Sequence, residues 1–223
     1  MGIVLSGDSR MGGTASQQVP DPNNPAQMIT VQNNVIISDA TEKLFLLYDR
    51  FGVGTFGDAI LNNMPVAHHI EQFQTRFPSR PPTTQDLANN LLQFFQGFQI
   101  ATQLGFTVAG YDSNDPWLII VDVKNRTTQR LNIDPQTNKV NYGVNASGDP
   151  SVASRLLSQP QFNPLFQVMN LQDAVDFSRH LIRSTIDQMR FEPRFATVGG
   201  PIDTLVVTNR DTRFLTHKSL KCA

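Results

Sequence analysis

The sequence has 223 residues, of which 39% are hydrophobic, so the chain is long enough to bury the core of one substantial domain. A formal net charge of −1 and a pI near 6.4 argue against a nucleic-acid-binding protein, which normally carries a basic surface. The only cysteine, Cys222, excludes a disulfide framework and a cysteine metal cluster. With no signal peptide and no long apolar segment, we expect a cytoplasmic protein without a membrane span.

The first predicted elements are strands and a loop. Residues 2–7 are mostly apolar and predict a strand that is buried on both faces. Residues 11–25 are rich in Gly, Gln, Asn and Pro, which favours a long surface loop. Residues 28–38 contain a run of β-branched residues and predict a further strand or strand pair.

The stretch from residue 41 to 58 predicts a hairpin. Apolar residues 44–47 lead to a turn at residues 49–50, and residues 51–56 return toward the starting end. Lys43 and Gly57 should therefore lie near the same end of the hairpin. We expect a helix directly after Gly57, which would place an ammonium beside a helix start where negative charge is favoured.

Helices and strands alternate in blocks through the rest of the chain. One helix is predicted from Asp58, and Pro65 should either kink it or reset its start. A second helix is predicted over residues 87–104 with an N-cap at Thr83. Strands are predicted at residues 106–111, 117–123, 126–133 and 140–144. Helices are predicted after Gly148 and over residues 171–190, followed by a final hairpin of residues 204–208 and 213–216. This order indicates helical layers on sheets.

Several short motifs occur in a fixed order along the chain. They are Gly-Asp-Ser-Arg at 7–10, Lys43, Gly57, Gly-Tyr-Asp at 110–112, Ala-Ser-Gly at 146–148 and Gly-Gly-Pro-Ile-Asp at 199–203. The series resembles the proteasome family of N-terminal nucleophile hydrolases, particularly the β-type subunits, over nearly the whole chain. The resemblance implies an α+β fold, the four-layer αββα sandwich, as a single domain of residues 1–223. It also implies a loop insertion at about residues 11–27.

The resemblance assigns roles to four residues. Enzymes of this superfamily use the hydroxyl or thiol of their first residue as nucleophile and its α-amine as base. Lys43 would keep that amine neutral and depress the hydroxyl pKa, and Asp8 would pair with Lys43 and orient it. Gly57 would donate its amide N–H to the oxyanion, and Ser147 would hydrogen-bond around the terminal amine. No metal or organic cofactor is needed.

Other candidate sites carry less weight. His68 and His69 point in different directions on a helix and have no third ligand at a diagnostic spacing, so we predict no metal site there. The four assigned residues also have plain structural interpretations: Lys43 as a solvated strand-end lysine, Asp8 as a strand-end ion-pair residue, Gly57 as a helix-start glycine and Ser147 as an N-cap.

Two departures from the family pattern bear on catalysis. Only seven residues precede Asp8, and neither Met1 nor Gly2 offers a nucleophile, whereas the family threonine stands farther upstream on an earlier strand. We therefore expect that the sequence starts at an internal methionine and lacks its first strand. Many active β-type subunits of the family also carry Arg-Asp and then Ser ahead of the Gly-Gly pair. Here Arg194 is kept, with Glu192 and Thr197 as candidate replacements for the acid and the serine.

The sequence thus predicts a proteasome-like subunit in a homo-oligomeric ring or related assembly that acts on polypeptide. Its reaction would be threonine-type hydrolysis of peptide amides if an upstream threonine exists. Two alternatives remain open, namely a non-catalytic structural subunit and a non-peptide amidase with the same terminal-nucleophile chemistry. Neither nucleic acid nor a membrane is expected as a partner.

Overall fold

This computed structural model describes residues 2–159, 161 and 164–218. Within these residues the chain forms twelve strands and four α-helices. The strands are β1 (Ile3–Gly7), β2 (Met11–Asp21), β3 (Asn24–Ser38), β4 (Leu44–Leu47), β5 (Phe51–Gly57), β6 (Ile60–Leu61), β7 (Met64–Pro65), β8 (Leu104–Asp112), β9 (Asp115–Asp122), β10 (Thr127–Arg130), β11 (Asp203–Val207) and β12 (Thr212–Thr216). The helices are α1 (Val66–Arg76), α2 (Thr84–Phe95), α3 (Ser151–Leu156) and α4 (Leu171–Met189). The fold is therefore mixed α+β.

The larger sheet has five antiparallel strands in the order β10-β9-β8-β5-β4. Helix α2 packs on β8 and β9, and with α1 it encloses an apolar core against this sheet. The core is rich in fully buried phenylalanines: Phe51, Phe73, Phe95 and Phe106. The apolar spacing of both helices produces this contact, because residues three and four apart share one helix face.

The smaller sheet has three strands in the order β1-β11-β12. Helix α4 packs on β1, and α3 packs on α4. A second buried cluster joins the two sheets through Leu5 and Leu205 on one side and Leu44 and Ala109 on the other. Gly52 of the larger sheet lies close to the smaller one, since an added Cβ there would lie 2.4 Å from the Leu205 side chain.

Strands β2 and β3 form a separate two-stranded sheet, here called the ribbon. They pair antiparallel from Met11 opposite Ser38 to Asp21 opposite Asn24. The prediction of a surface loop at residues 11–25 is therefore wrong, because most of this segment is strand β2. Glycine, glutamine and asparagine have low strand propensity, but each strand satisfies the other's backbone hydrogen bonds, and this pairing outweighs propensity.

Two helix predictions need correction. No helix follows Gly57 directly, because Asn62 and Asn63 adopt positive φ values of 47° and 63° and close the small hairpin of β6 and β7. Helix α1 starts only after Pro65. The helix predicted over residues 87–104 ends at Phe95, and Asp58 accepts the backbone N–H of Thr102 at 3.0 Å, which holds the following segment out of helical conformation.

The strand predicted at residues 140–144 is also wrong. Val140 makes one isolated bridge with Ile133, and residues 141–148 are exposed. Strand β10 ends at Arg130 and offers this segment no continuing partner. The predicted hairpin of β4 and β5, helix α4 and the final hairpin of β11 and β12 are confirmed. None of the helices in the described ranges has both the length and the apolar character needed to cross a membrane.

Candidate active site

Asp8 and Lys43 meet where β1 ends and β4 begins. Lys43 Nζ donates to Asp8 Oδ1 at 2.8 Å, and the two side chains are 22% and 14% exposed. Asp8 Oδ2 accepts two backbone N–H groups, from Arg10 and from Gly199, each at 3.0 Å. The carboxylate thus holds three donors from three segments of the chain, and it fixes the position of the Lys43 ammonium. The expected pairing of Asp8 with Lys43 is present.

Ser9 connects the same three segments through its backbone and side chain. Its N–H donates to the Gly199 carbonyl at 3.0 Å, and its hydroxyl donates to the Pro201 carbonyl at 2.9 Å. Its own carbonyl accepts the N–H of Thr41 at 2.9 Å. Ser9 is fully buried, so these bonds are shielded from water. Asp8 is consequently fixed against the Gly-Gly segment on one side and the start of β4 on the other.

Arg10 and Asp39 close the site on the side of the ribbon. The guanidinium donates to both carboxylate oxygens, with Nε to Oδ1 at 2.7 Å and Nη2 to Oδ2 at 3.0 Å. This hydrogen bonding lowers the pKa of the Asp39 carboxyl below its usual value. The glycine pair makes room for the ion pair, because a Cβ on Gly199 would lie 2.4 Å from the Arg10 guanidinium. Gly200 has a φ of +76° and packs on the Asp39 backbone.

Gly57 lies on β5 at the same end of the hairpin as Lys43. Thr55 N–H donates to the Lys43 carbonyl at 2.8 Å, whereas Asp58 N–H donates to the Gln103 carbonyl at 2.5 Å on the opposite side. Backbone amides alternate sides along a strand, so the Gly57 N–H points to the Lys43 side, past the start of β4. An amide in that position can donate to a negatively charged oxygen.

Only glycine fits at position 57. Its φ is +94°, and an added Cβ would lie 2.1 Å from the Gln103 carbonyl oxygen. Because the chain continues into β6 rather than into a helix, no helix dipole acts at the Gly57 amide. Any anion stabilisation there would come from the N–H itself and from Lys43.

Ser147 is not brought into contact with Asp8 or Lys43. It lies in an exposed segment, and its Oγ accepts a hydrogen bond from Asn145 Nδ2 at 3.2 Å. Its predicted role at the terminal amine stays a prediction.

Asp149 is a residue that the sequence did not single out. Its Oδ2 accepts from Arg194 Nη1 at 2.5 Å and from Thr197 Oγ1 at 2.9 Å. Partial burial raises the pKa of Asp149, but hydrogen bonds from Ser151, Thr197 and Arg194 outweigh it and lower the pKa to about 2. Asp149 thus ties the segment after Ser147 to the segment that leads into Gly199.

Glu192 is the second acid at Arg194. Its carboxylate accepts from Arg194 Nε at 2.5 Å and from Arg155 Nη2 at 2.6 Å. Arg194 is therefore bound by Glu192 and Asp149 together. Glu192, two residues before Arg194, was a candidate from the motif comparison. Asp149 is far from Arg194 in sequence, and the neighbouring Ala-Ser-Gly motif was its only signal.

In comparisons with known proteins, no family model matches this sequence, and no curated protein does. The chemistry open to the site is therefore argued from its own geometry: Asp8 fixes the Lys43 ammonium, and Gly57 lies at the same end of the β4–β5 hairpin as Lys43. Among the residues described, no group of three or more His, Cys, Asp or Glu side chains is placed to hold a metal ion. Both ring nitrogens of His69 are hydrogen-bonded, one of them to the Leu61 carbonyl.

Proposed function

We propose that this chain is a proteasome-like subunit of the N-terminal nucleophile hydrolase class and that Asp8, Lys43 and Gly57 form its reaction site. The observation that carries the proposal is the Lys43 ammonium, held 2.8 Å from an Asp8 carboxylate that two backbone N–H groups also fix. A fixed cation of this kind suits a site that must favour a deprotonated nucleophile.

The arrangement of elements supports the four-layer αββα form of this fold. Helices α1 and α2 lie on the outer face of the five-stranded sheet, and α4 lies on the three-stranded sheet. Leu5 and Leu205 of the smaller sheet pack on Leu44 and Ala109 of the larger one, so the sheets face each other. The helices then form the two outer layers.

The proposed reaction needs a nucleophile supplied N-terminal to Gly2. Its hydroxyl oxygen attacks the substrate carbonyl carbon while its proton passes to the α-amine, which titrates near pH 8, whereas lysine titrates near 10.4. The Lys43 ammonium disfavours a second positive charge on that amine and so favours its neutral form. The negative oxygen that forms would accept the Gly57 N–H, which can contribute about 3 kcal/mol to catalysis. The C–N bond then breaks, the amine leaves with the proton, and water hydrolyses the ester.

The substrate class proposed is polypeptide, cleaved inside a homo-oligomeric ring or related assembly in the cytoplasm. One observation favours the non-catalytic structural subunit as a second candidate. Ser147 contacts Asn145 and makes no contact with the Asp8–Lys43 pair, so the structure gathers only part of the assigned set around that pair. A structural subunit would keep the same ion pair for stability alone.

The deciding experiment has two parts. The intact mass and N-terminal sequence of the protein from its native source show whether the mature chain starts at a threonine upstream of Gly2. Turnover of fluorogenic peptides is then compared for the wild type, Lys43→Ala and Lys139→Ala, a control that removes an equal charge from an exposed loop.

We expect a mature chain that starts at an upstream threonine. We also expect that Lys43→Ala abolishes peptide turnover and that Lys139→Ala leaves it intact. Absence of both the threonine and turnover would leave the structural subunit as the function. Turnover of small amides without cleavage of unfolded polypeptide would identify an amidase.

A further inference from the structure

The ribbon of β2 and β3 stands apart from both sheets. Its two strands pair along their whole length, and among the described helices and strands no other packs on either of them more than marginally. Of its apolar residues only Met11, at the base, is buried in the core. A lone two-stranded sheet is at best marginally stable in water, so a ribbon this long requires a surface to cover it.

The ribbon has two unlike faces. Residues paired across the strands share a face, and the faces alternate along each strand. One, the apolar face, carries Ala15, Val19, Ile29, Val31, Val35 and Ile37, with Gln17 and Asn33 at its middle. The other, the polar face, carries Thr14, Ser16, Gln18, Thr30, Gln32 and Asn34, with Ile36 and Met28 at its ends. Neither buried core cluster includes the six aliphatic residues of the apolar face.

The ribbon is almost uncharged. Between Met11 and Ser38 the only charged residue is Asp21, next to the turn. Strand edges that face water are normally protected by lysine and other charges, and this protection is missing here. A charged partner would gain nothing from this surface, whereas an equally neutral apolar face fits it. The amides of Gln17 and Asn33 carry both donors and acceptors and can therefore pair with the same groups of an identical face.

We propose that the ribbon is a docking surface for a second copy of this chain, with the two apolar faces stacked about a two-fold axis. This contact is isologous, so it closes at two copies. It does not depend on hydrolase chemistry or on ring contacts made by the rest of the subunit.

The size of the face agrees with a dimer that forms reversibly. About nine paired positions at ~3.3 Å each give a ribbon roughly 30 Å long, and two strands at a spacing of about 4.8 Å make its face roughly 10 Å wide. With side-chain relief, such a face offers about 500–600 Å² per copy, or roughly 1,000–1,200 Å² in total, which is the lower end for specific interfaces. The dimer should therefore dissociate on dilution.

The test compares two neighbouring residues on opposite faces. Val31→Lys places a charge on the apolar face, and Gln32→Lys places the same charge on the polar face of the same strand. Sedimentation velocity of the full chain should show the wild-type mass rising with concentration toward twice the mass of the Val31→Lys variant at the same concentration. Val31→Lys should weaken this association by about tenfold or more, since a lone charge would be buried, and Gln32→Lys should leave it within about twofold.

A cross-linking measurement covers the case in which Val31→Lys perturbs the ribbon itself. In a Cys222→Ser background, Val31→Cys should give a dimer with a short bismaleimide, and Gln32→Cys should not. A wild type that stays monomeric at all concentrations, or equal cross-linking at both positions, would overturn the proposal. A larger assembly whose mass neither lysine variant changes would also overturn it, yet would leave the ring proposal standing.

Discussion

The Asp8–Lys43 pair makes a prediction that the structure allows to be worked out in detail. In Asp8→Asn the amide oxygen can keep both N–H bonds that Oδ2 now accepts, from Arg10 and Gly199. The amide NH₂ then faces the Lys43 ammonium, so the 2.8 Å bond is lost. Hydrogen bonds to charged groups contribute about 1.5–3 kcal/mol, and partial exposure of both side chains places this one near about 1.5 kcal/mol.

A double-mutant cycle isolates that value. Lys43→Met keeps the aliphatic chain and removes the charge, so Asp8→Asn, Lys43→Met and the double variant should each lose a similar stability. The coupling free energy should therefore be about 1.5 kcal/mol. Urea unfolding followed by the fluorescence of Trp117, the single tryptophan, measures it.

The matched control is a surface pair, Asp211 with Arg213, whose side chains are 44% and 59% exposed. Asp211→Asn and Arg213→Met should show no measurable coupling, because exposed pairs contribute little. If the Asp8–Lys43 coupling were no larger than that of the surface pair, the carboxylate would not be fixing the ammonium, and the reasoning about the site would fail.

Two further predictions concern the segments around this pair. Gly57→Ala should lower the free energy of unfolding by about 2–5 kcal/mol, because a residue at φ +94° would be strained and its Cβ would meet the Gln103 carbonyl at 2.1 Å. Gly97→Ala, where the Cβ meets only a carbonyl at 4.0 Å, should change urea stability little, and equal losses would contradict the explanation. Asp149→Asn tests the carboxyl whose folded pKa of about 2 lies below the usual 3.8. A lowered folded pKa adds stability that is full above the unfolded pKa and is lost as pH falls through about 2, so Asp149→Asn should cost up to about 2 kcal/mol near neutral pH. The difference in stability between wild type and Asp149→Asn, measured as urea midpoints at several pH values, should shrink toward zero near pH 2. A difference that stays constant with pH would indicate lost packing instead.

Local signals predicted the parts of the fold whose residues decide their own conformation. The β4–β5 hairpin follows from two apolar runs around a turn, and the helix predicted over residues 171–190 is α4, Leu171–Met189. The pairing of Asp8 with Lys43 was expected from motif order, and it is present.

The missed parts depend on partners that lie far away or on turn chemistry. Strand β2 has weak propensity and exists because β3 pairs with it. Asn62 and Asn63 were the available signal for the small hairpin after Gly57, but the apolar spacing from Ile60 onward also fitted a helix. Asp149 belongs to the candidate site only through Arg194 and Thr197, and a contact across that sequence distance has no local signal.

The pairing of β1 with β11 has a consequence for how the chain is synthesised. Ile3 lies opposite Val207, so β1 pairs with a strand that is synthesised about 200 residues later. At a synthesis rate of about 5–20 residues per second, β1 is without its partner strand for roughly 10–40 s. Asp8 can accept the hydrogen bond from the Gly199 N–H only after a similar delay. The nascent chain therefore exposes an apolar strand until β11 emerges, which makes β1 a natural binding segment for chaperones, and the ion pair with Lys43 becomes fixed only after Gly199 has been synthesised.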